Sequence, residues 1–204
     1  SEDGVWQHDG MVLLDFGHSC DLTTDQPINT KIAGSIKLMP GQSVRQLCFD
    51  IGVPFEANHE DNTLQASPLN ISGMYWAWQS GHNFFRLDGV TGSGGFNVHL
   101  GSTGCVSEGR TQAPISQCAN PNRPTICLDL NPATQLIIVD AKALLADADV
   151  SQNTANTAPG CMSGNNDPEC QAIIPKFGLD FTYTPSASEQ ILQPKQAQSV
   201  FYVQ

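Results

Sequence analysis

Charge is scarce in this chain: only 14% of its 204 residues are Asp, Glu, Lys or Arg. Nine Lys and Arg against 20 Asp and Glu give a formal net charge of −11, which argues against nucleic acid or an anionic membrane surface as a partner. Long apolar runs are also missing, because stretches such as Leu136–Val139 are only strand-sized. No signal peptide or lipidation motif is present, so Ser1 is expected to begin a mature or trimmed chain.

Enzyme signatures are missing where they would be easiest to recognise. The chain has neither the G-x-S-x-G nucleophile turn nor a G-K-[ST] phosphate loop. His59-Glu60 begins like a zinc-protease motif, but Thr63 stands where the second histidine is required. Cys161-Met162 has no histidine after it, which excludes the blue-copper pattern, and Ser1 excludes an N-terminal histidine brace. We therefore predict that the protein is not an enzyme, and a copper redox enzyme ranks last among the alternatives.

Short strands punctuated by Gly, Pro and Asn dominate the remaining pattern. They predict a single domain over residues 1–204, mainly β, with a β-sandwich-like core, long loops and one or two short helices. The helix candidates are Ala141–Ala148 and Cys170–Phe177, which follows Asp167-Pro168. The predicted strands are Val12–Phe16, Lys31–Leu38, Arg45–Ile51, Phe84–Leu87, Phe96–Leu100, Thr125–Leu130, Gln135–Asp140 and Leu179–Tyr183.

Cysteines and histidines are the residues of this chain that point to disulfides and to metal binding. Seven cysteines indicate an oxidising compartment, and their odd number leaves one unpaired or paired with another molecule. Three of the five histidines and two of the three tryptophans fall between Gly52 and Cys105. Because imidazole is a common metal ligand, this concentration suggests a metal site.

Sequence words along nearly the whole chain carry a family resemblance. In chain order, these words are WQHDGMVLLDF, GVPFEANH, SPLNISGMYWAWQSGHNFFRLD, HLGSTGC, PNRPTICLDL and PGCMSGNNDPEC. They resemble the MbnP-like family of secreted bacterial copper-binding proteins, which includes the MopE and CorA copper proteins of methanotrophs. The resemblance implies a secreted or outer-surface protein of a Gram-negative bacterium that serves copper acquisition.

The resemblance also implies a ligand set for copper, with Cu(I) favoured. In the MopE and CorA branch, copper is held by two histidines and a tryptophan that a MauG-like dihaem peroxidase has oxidised to kynurenine. Carried over, Trp6 is the modified residue and His8 the first histidine. Side chains at positions i and i+2 share one face of a strand, so one strand could present both.

The second histidine is expected to be His82, in WQSGHNFF, where other family members carry an aromatic residue. His59 is the alternative ligand, although its place in the family word GVPFEANH favours a structural role in a turn. Without copper, the same fold could be a surface binding module that uses the YWAW aromatics. Exposed aromatic rings would favour that reading, and buried ones would not.

The remaining expectations concern disulfides, a second metal and partners. Closeness in sequence and the family's four-cysteine pattern pair Cys105 with Cys118 and Cys161 with Cys170, whereas Cys20, Cys48 and Cys127 stay unassigned. The loop Ser163–Glu169 could hold Ca²⁺ but lacks the spacing of a defined calcium loop. The dihaem peroxidase is the expected partner, and the protein is expected to be a monomer.

Overall fold

The structure is a computed structural model that describes residues 3–17, 28–92, 94–186, 189–192 and 196–204. Its strands are short, and its few helices are single turns or little more. The strands are β1 (Gln7–His8), β2 (Met11–Val12), β3 (Gln46–Asp50), β4 (Tyr75–Ala77), β5 (Gly81–His82), β6 (Phe85–Thr91), β7 (Gly94–Leu100), β8 (Thr125–Asp129), β9 (Ile137–Val139), β10 (Gly160–Cys161), β11 (Thr182–Ser186), β12 (Glu189–Leu192) and β13 (Phe201–Val203). The helices are α1 (Phe55–Asn58), α2 (Ala141–Leu145) and α3 (Cys170–Ile173), with 3₁₀ turns at Ser72–Met74 and Ile174–Phe177.

The central sheet of the described chain has three strands in the order β10–β7–β6. β6 and β7 form a regular antiparallel hairpin, and β10 adds in parallel to the other edge of β7. Gly160 makes this addition possible, because a Cβ at that position would collide with the backbone of Asn97. The other described strands pair in twos: β1 with β2, β3 with β8, β4 with β5, β9 with β13, and β11 with β12.

The hydrophobic core lies between β7 and the helical segment that follows β10. Phe96, Val98 and Leu100 alternate along β7 and are buried, as the two-residue period of a strand requires. They belong to one cluster with Ile173 and Phe177 from the helical segment. Each such side chain contributes roughly 1.5–3 kcal/mol through burial. The β7 hairpin therefore provides a firm base for the loops that carry the histidines.

Three disulfides close the loops of the described chain. Both pairs that the resemblance implies are present, Cys105–Cys118 and Cys161–Cys170. The third joins Cys48 to Cys127, which lie opposite each other in β3 and β8 although 79 residues separate them in sequence. Cys20 lies outside the described residues.

The mainly β prediction is confirmed, and most predicted strands are present with shifted ends. Both helix predictions are confirmed as short helices, α2 and the segment that begins at α3. The strand predicted at Lys31–Leu38 is wrong: this segment is exposed and none of its residues is assigned to a strand. Its alternating apolar residues resemble a strand, yet both backbone groups of Ala33 bond the side-chain amide of Gln7. Val12–Phe16 is also shorter than predicted, since only Met11–Val12 and a bridge at Asp15 pair.

Candidate metal centre

The backbone around Trp6 is held by a single carboxylate. Asp3 Oδ1 accepts hydrogen bonds from three successive backbone N–H groups, those of Val5 (2.9 Å), Trp6 (2.6 Å) and Gln7 (2.9 Å). These bonds stabilise the charged carboxylate and lower the pKa of Asp3. The turn before β1 is therefore fixed by its own sequence, and it sets the direction in which Trp6 leaves the chain.

The hairpin that follows begins directly after Trp6 and carries His8. Asp9 (φ 46°) and Gly10 (φ 73°) both adopt positive φ, as a two-residue hairpin turn of type I′ requires, and β1 pairs with β2 across it. Gln7 is buried, at 6% exposed, whereas His8, the next residue of β1, is half-buried, as the alternation of side chains along a strand requires. Trp6, in the bend just before β1, is also half-buried.

His82 lies deep in the protein, on the short strand β5, and is only 2% exposed. Its ring packs edge-on against Tyr75, with 4.9 Å between ring centroids. Nε2 lies 2.9 Å from the carbonyl oxygen of Leu69, and Nδ1 lies 3.3 Å from Oδ1 of Asn58. The orientation of the Asn58 amide is fixed, because the same Oδ1 accepts the backbone N–H of His82 at 2.7 Å.

The hydrogen-bond partners of His82 leave one ring nitrogen mismatched. Both partners are acceptors, whereas a neutral imidazole has one N–H donor and one lone pair. Burial lowers the pKa of His82, which keeps the ring neutral at neutral pH. One nitrogen lone pair therefore faces an oxygen inside the protein, an arrangement that a bound cation would relieve.

His59 has neighbours that match its neutral ring. The amide Nδ2 of Asn58 donates to Nε2 at 3.2 Å, so the proton resides on Nδ1, which donates to the Trp78 carbonyl at 2.8 Å. Burial lowers the pKa of His59 as well. Both ring nitrogens therefore have hydrogen-bond partners in the protein. This arrangement fits the structural role in a turn that the sequence indicates.

One buried amide thus connects the two histidines. Asn58 is 1% exposed, and it donates to His59 with its nitrogen while its oxygen faces His82. The amide can do this because β5 begins with Gly81, whose missing side chain leaves the space that Asn58 fills. Asn58 is therefore the positioning residue of this pair.

We expect Asn58→Asp to raise the pKa of His82, because a carboxylate beside Nδ1 would favour the imidazolium. The pH at which the ring protonates should rise by about one unit or more, equivalent to about 1.4 kcal/mol per unit. The measurement is an NMR titration of the ring C–H resonances of His82. Asn62→Asp is the matched control, since Asn62 is also buried in the neighbouring loop. An unchanged His82 titration in the Asn58 variant would contradict the assigned role of the amide.

The segment 67–69 joins the hairpin to His82. Ser67 Oγ donates to the carbonyl of Val5 at 2.7 Å, directly before Trp6. Two residues further on, the carbonyl of Leu69 faces Nε2 of His82. The same short segment therefore contacts both the chain just before Trp6, through Ser67, and the ring of His82, through Leu69.

A second group of donors surrounds His59. Its ring nitrogen and the sulfurs of Cys105 and Cys118 lie within 4.8 Å of one another, with Cys118 Sγ 3.6 Å from Nε2. Among the described residues, this is the one group of three His, Cys, Asp or Glu side chains close enough to share an ion. The two sulfurs form a disulfide and metals bind thiolates, so the group could hold a metal only after reduction.

The loop considered for Ca²⁺ contains a pair of interacting carboxyl groups. Asp167 is buried and accepts backbone hydrogen bonds from Met162 and Glu169. Burial and the neighbouring Glu169 carboxyl raise the pKa of Asp167 to about 7, so the pair retains a proton near neutral pH. Glu169 Oε1 is occupied by Thr154. These contacts describe a disulfide-closed turn, and Ca²⁺ binding there stays a prediction.

The YWAW aromatics are not displayed as a surface patch. Tyr75, Trp76 and Trp78 are each half-buried. The Trp76 ring packs against Gly101, where a side chain would collide with it, and lies 6.3 Å from the ring of His99. Tyr75 hydrogen-bonds the carbonyl of Glu60, and burial raises its pKa to about 12. These rings contribute to packing beneath the candidate centre, which does not favour a binding module built on them.

Sequence reasoning placed Trp6, His8, His82 and His59 but missed the residues that hold them. Asp3 could have been found, because a carboxylate just before a turn commonly accepts the following N–H groups. Asn58 precedes His59 directly, yet nothing in the sequence indicates that its amide also reaches His82. His18 lies outside the described residues.

These features define a class: a mainly β, disulfide-stabilised protein with a half-buried W-x-H hairpin next to buried, neutral histidines. The chain belongs to the MbnP family, whose model, described as MbnP, matches residues 1–163. No match was found among curated protein sequences. None of the helices in the described ranges is long and apolar enough to cross a bilayer.

A solved structure supports the same assignment. The chain is similar to MbnP from Methylosinus trichosporium, with a TM-score of 0.66 and 28% sequence identity. The match covers 80% of this chain and 64% of that protein, so the chain spans less than two thirds of its relative's length. Family membership and the three disulfides fit an extracellular or periplasmic protein, because disulfides persist in oxidising compartments.

Proposed function

We propose that this protein is a non-catalytic copper carrier that binds Cu(I) for copper acquisition, in the periplasm or on the outer cell surface. Its ligands are His8, His82 and Trp6 after oxidation to kynurenine. The observation that carries the proposal is the mismatched lone pair of buried His82, beside the segment that also contacts the Trp6–His8 hairpin.

The donor set fits copper. Imidazole nitrogens suit both oxidation states of copper, and burial keeps His82 neutral and so ready to bind without losing a proton. An unmodified indole cannot ligate, because its N–H is a donor without an available lone pair. Opening the indole ring yields an aryl amine with a free nitrogen lone pair. A low coordination number of three nitrogen ligands, with no hard carboxylate and with one ligand deeply buried, favours Cu(I).

The modification needs an oxidant, and a dihaem peroxidase of the MauG type would use hydrogen peroxide. Two peroxide molecules deliver two oxygen atoms to the C2–C3 bond of the indole, which breaks, and two waters are released. Hydrolysis then removes the former C2 as formate and frees the aryl amine. The half-buried position of Trp6, just before the first strand of the hairpin, supports this proposal, because the ring is not enclosed in the core.

The decisive experiment combines peptide mass spectrometry with metal analysis on one sample of protein from its native host. We expect the Trp6 peptide to be about 4 Da heavier than its sequence predicts, from the net gain of one oxygen and loss of one carbon. Copper should be close to one per chain. An unmodified Trp6 peptide in protein that nevertheless holds copper would exclude the kynurenine ligand. Unmodified, copper-free protein would overturn the whole proposal.

A further inference from the structure

Positive charge is concentrated in one segment of this acidic chain. Residues 30–45, the basic arm, contain three of the nine Lys and Arg residues and none of the 20 Asp and Glu. The arm therefore carries +3, and the rest of the chain, with six cations against 20 acids, carries −14. Lys31, Lys37 and Arg45 form no ion pair within the described part of the chain, whereas Arg86, Arg123 and Lys176 each lie beside an aspartate.

The basic arm also exposes apolar side chains and backbone. Every residue from 30 to 43 is exposed. Four of them are large and apolar: Ile32 (57%), Ile36 (70%), Leu38 (43%) and Met39 (70%). The arm belongs to no helix or strand up to Arg45 and, apart from residues such as Ala33, most of its N–H and C=O groups have no protein partner in the described chain. Exposed apolar groups beside backbone outside any strand can accept a strand from another protein.

The basic arm is fastened to the hairpin that carries the candidate ligands. The Gln7 amide bonds both backbone groups of Ala33, at 2.8 Å to its C=O and 2.7 Å from its N–H, much as a neighbouring strand would. Just before the arm, Asn29 pairs with Asp15 and donates to the carbonyl of Leu13. Gln7 directly follows Trp6, so a partner seated on the arm lies beside the backbone that carries Trp6, on the side of β1 to which the Gln7 side chain points.

We propose that the basic arm is the docking surface for the enzyme that oxidises Trp6, and that this partner presents an acidic, strand-forming segment to it. The inference rests on the proposed function, which supplies the partner. Charge complementarity selects an acidic face, since elsewhere the chain would repel one. The unpaired backbone selects a protein rather than an anionic membrane, because lipid head groups offer no strand to pair with it.

Charge reversal tests the docking surface, with the purified dihaem peroxidase as the probe. The double substitution Lys31→Glu/Lys37→Glu should weaken binding of the full-length protein to the enzyme at least tenfold and slow Trp6 oxidation by the same factor. The remaining affinity should depend less on salt concentration than that of wild type. Arg110→Glu/Lys142→Glu changes the net charge equally at exposed positions outside the arm and should stay within about twofold of wild type. Titration calorimetry gives the affinity, and peptide mass spectrometry with peroxide gives the oxidation rate.

The two measurements separate this inference from the proposed function. If wild type binds the enzyme and the arm variant does not, the docking surface stands, even if Trp6 remains unoxidised and the kynurenine proposal fails. The docking surface is overturned if wild type and the arm variant bind the enzyme with equal affinity, or if wild type does not bind it. In either case, an oxidised Trp6 leaves the proposed function intact. Arm-dependent binding to phosphatidylglycerol vesicles would overturn the docking surface in favour of a membrane. Arm-dependent dimerisation in ultracentrifugation would overturn it in favour of a second copy of the chain.

Discussion

Trp6→Phe should abolish stoichiometric copper binding in protein produced by the native host. Phenylalanine keeps an aromatic ring on the hairpin but cannot be opened to an aryl amine, so one of three nitrogen ligands is lost. We expect the affinity for Cu(I) to fall by on the order of 100-fold or more. The fold should be unaffected, since Asp3 holds the turn through backbone N–H groups and not through the indole. Competition with a chromogenic Cu(I) chelator measures the affinity.

Trp78→Phe is the matched control for this substitution. Trp78 is another half-buried tryptophan, and the contact it makes with His59 uses its backbone carbonyl, which the substitution leaves in place. Its copper content should equal that of wild type. If Trp6→Phe binds Cu(I) with the same affinity as Trp78→Phe, two histidines suffice and kynurenine is not a ligand.

Features decided by residues close together in the chain are accessible from the sequence. Asp9-Gly10 is a strong hairpin signal, although none of the sequence-based predictions uses it, and the hairpin β1–β2 turns there. Cys161–Cys170 encloses a loop of only a few residues, which makes its pairing accessible from sequence. In each case the geometry is decided within about ten residues, where backbone rules dominate.

Contacts between distant segments could not be predicted in the same way. Cys48 and Cys127 meet only because β3 and β8 pair, and a two-residue period says nothing about which strand is the neighbour. The pattern of Lys31–Leu38 has the apolar content of a strand, yet none of the strands in the described ranges pairs with it. The same limit hid Asn58, whose amide acts on His82 from 24 residues away.

Gly81→Ala should both destabilise the protein and disturb His82. Gly81 has a φ of 74°, which costs an L-residue roughly 1–2 kcal/mol. A Cβ there would also occupy the space of the Asn58 amide, which would have to move and give up hydrogen bonds to His59 and His82. Breaking those two buried bonds costs about 1–3 kcal/mol each, so together with the backbone strain we expect a total loss of roughly 3–8 kcal/mol. Urea denaturation measures the loss, and chelator competition should show weaker copper binding in the fraction that folds.

Gly73→Ala provides the comparison that isolates this effect. Gly73 lies in the 3₁₀ turn Ser72–Met74 just before β4, and a Cβ there would make only an ordinary contact, 3.8 Å from Arg86 Nη1. It should change the free energy of unfolding by less than about 1 kcal/mol and leave copper affinity unchanged. If Gly81→Ala were as stable as Gly73→Ala, the tight packing of Asn58 against Gly81 would be wrong. If it were destabilised but bound copper normally, the ligand role of His82 would not depend on Asn58, because the amide could be displaced without releasing the ring.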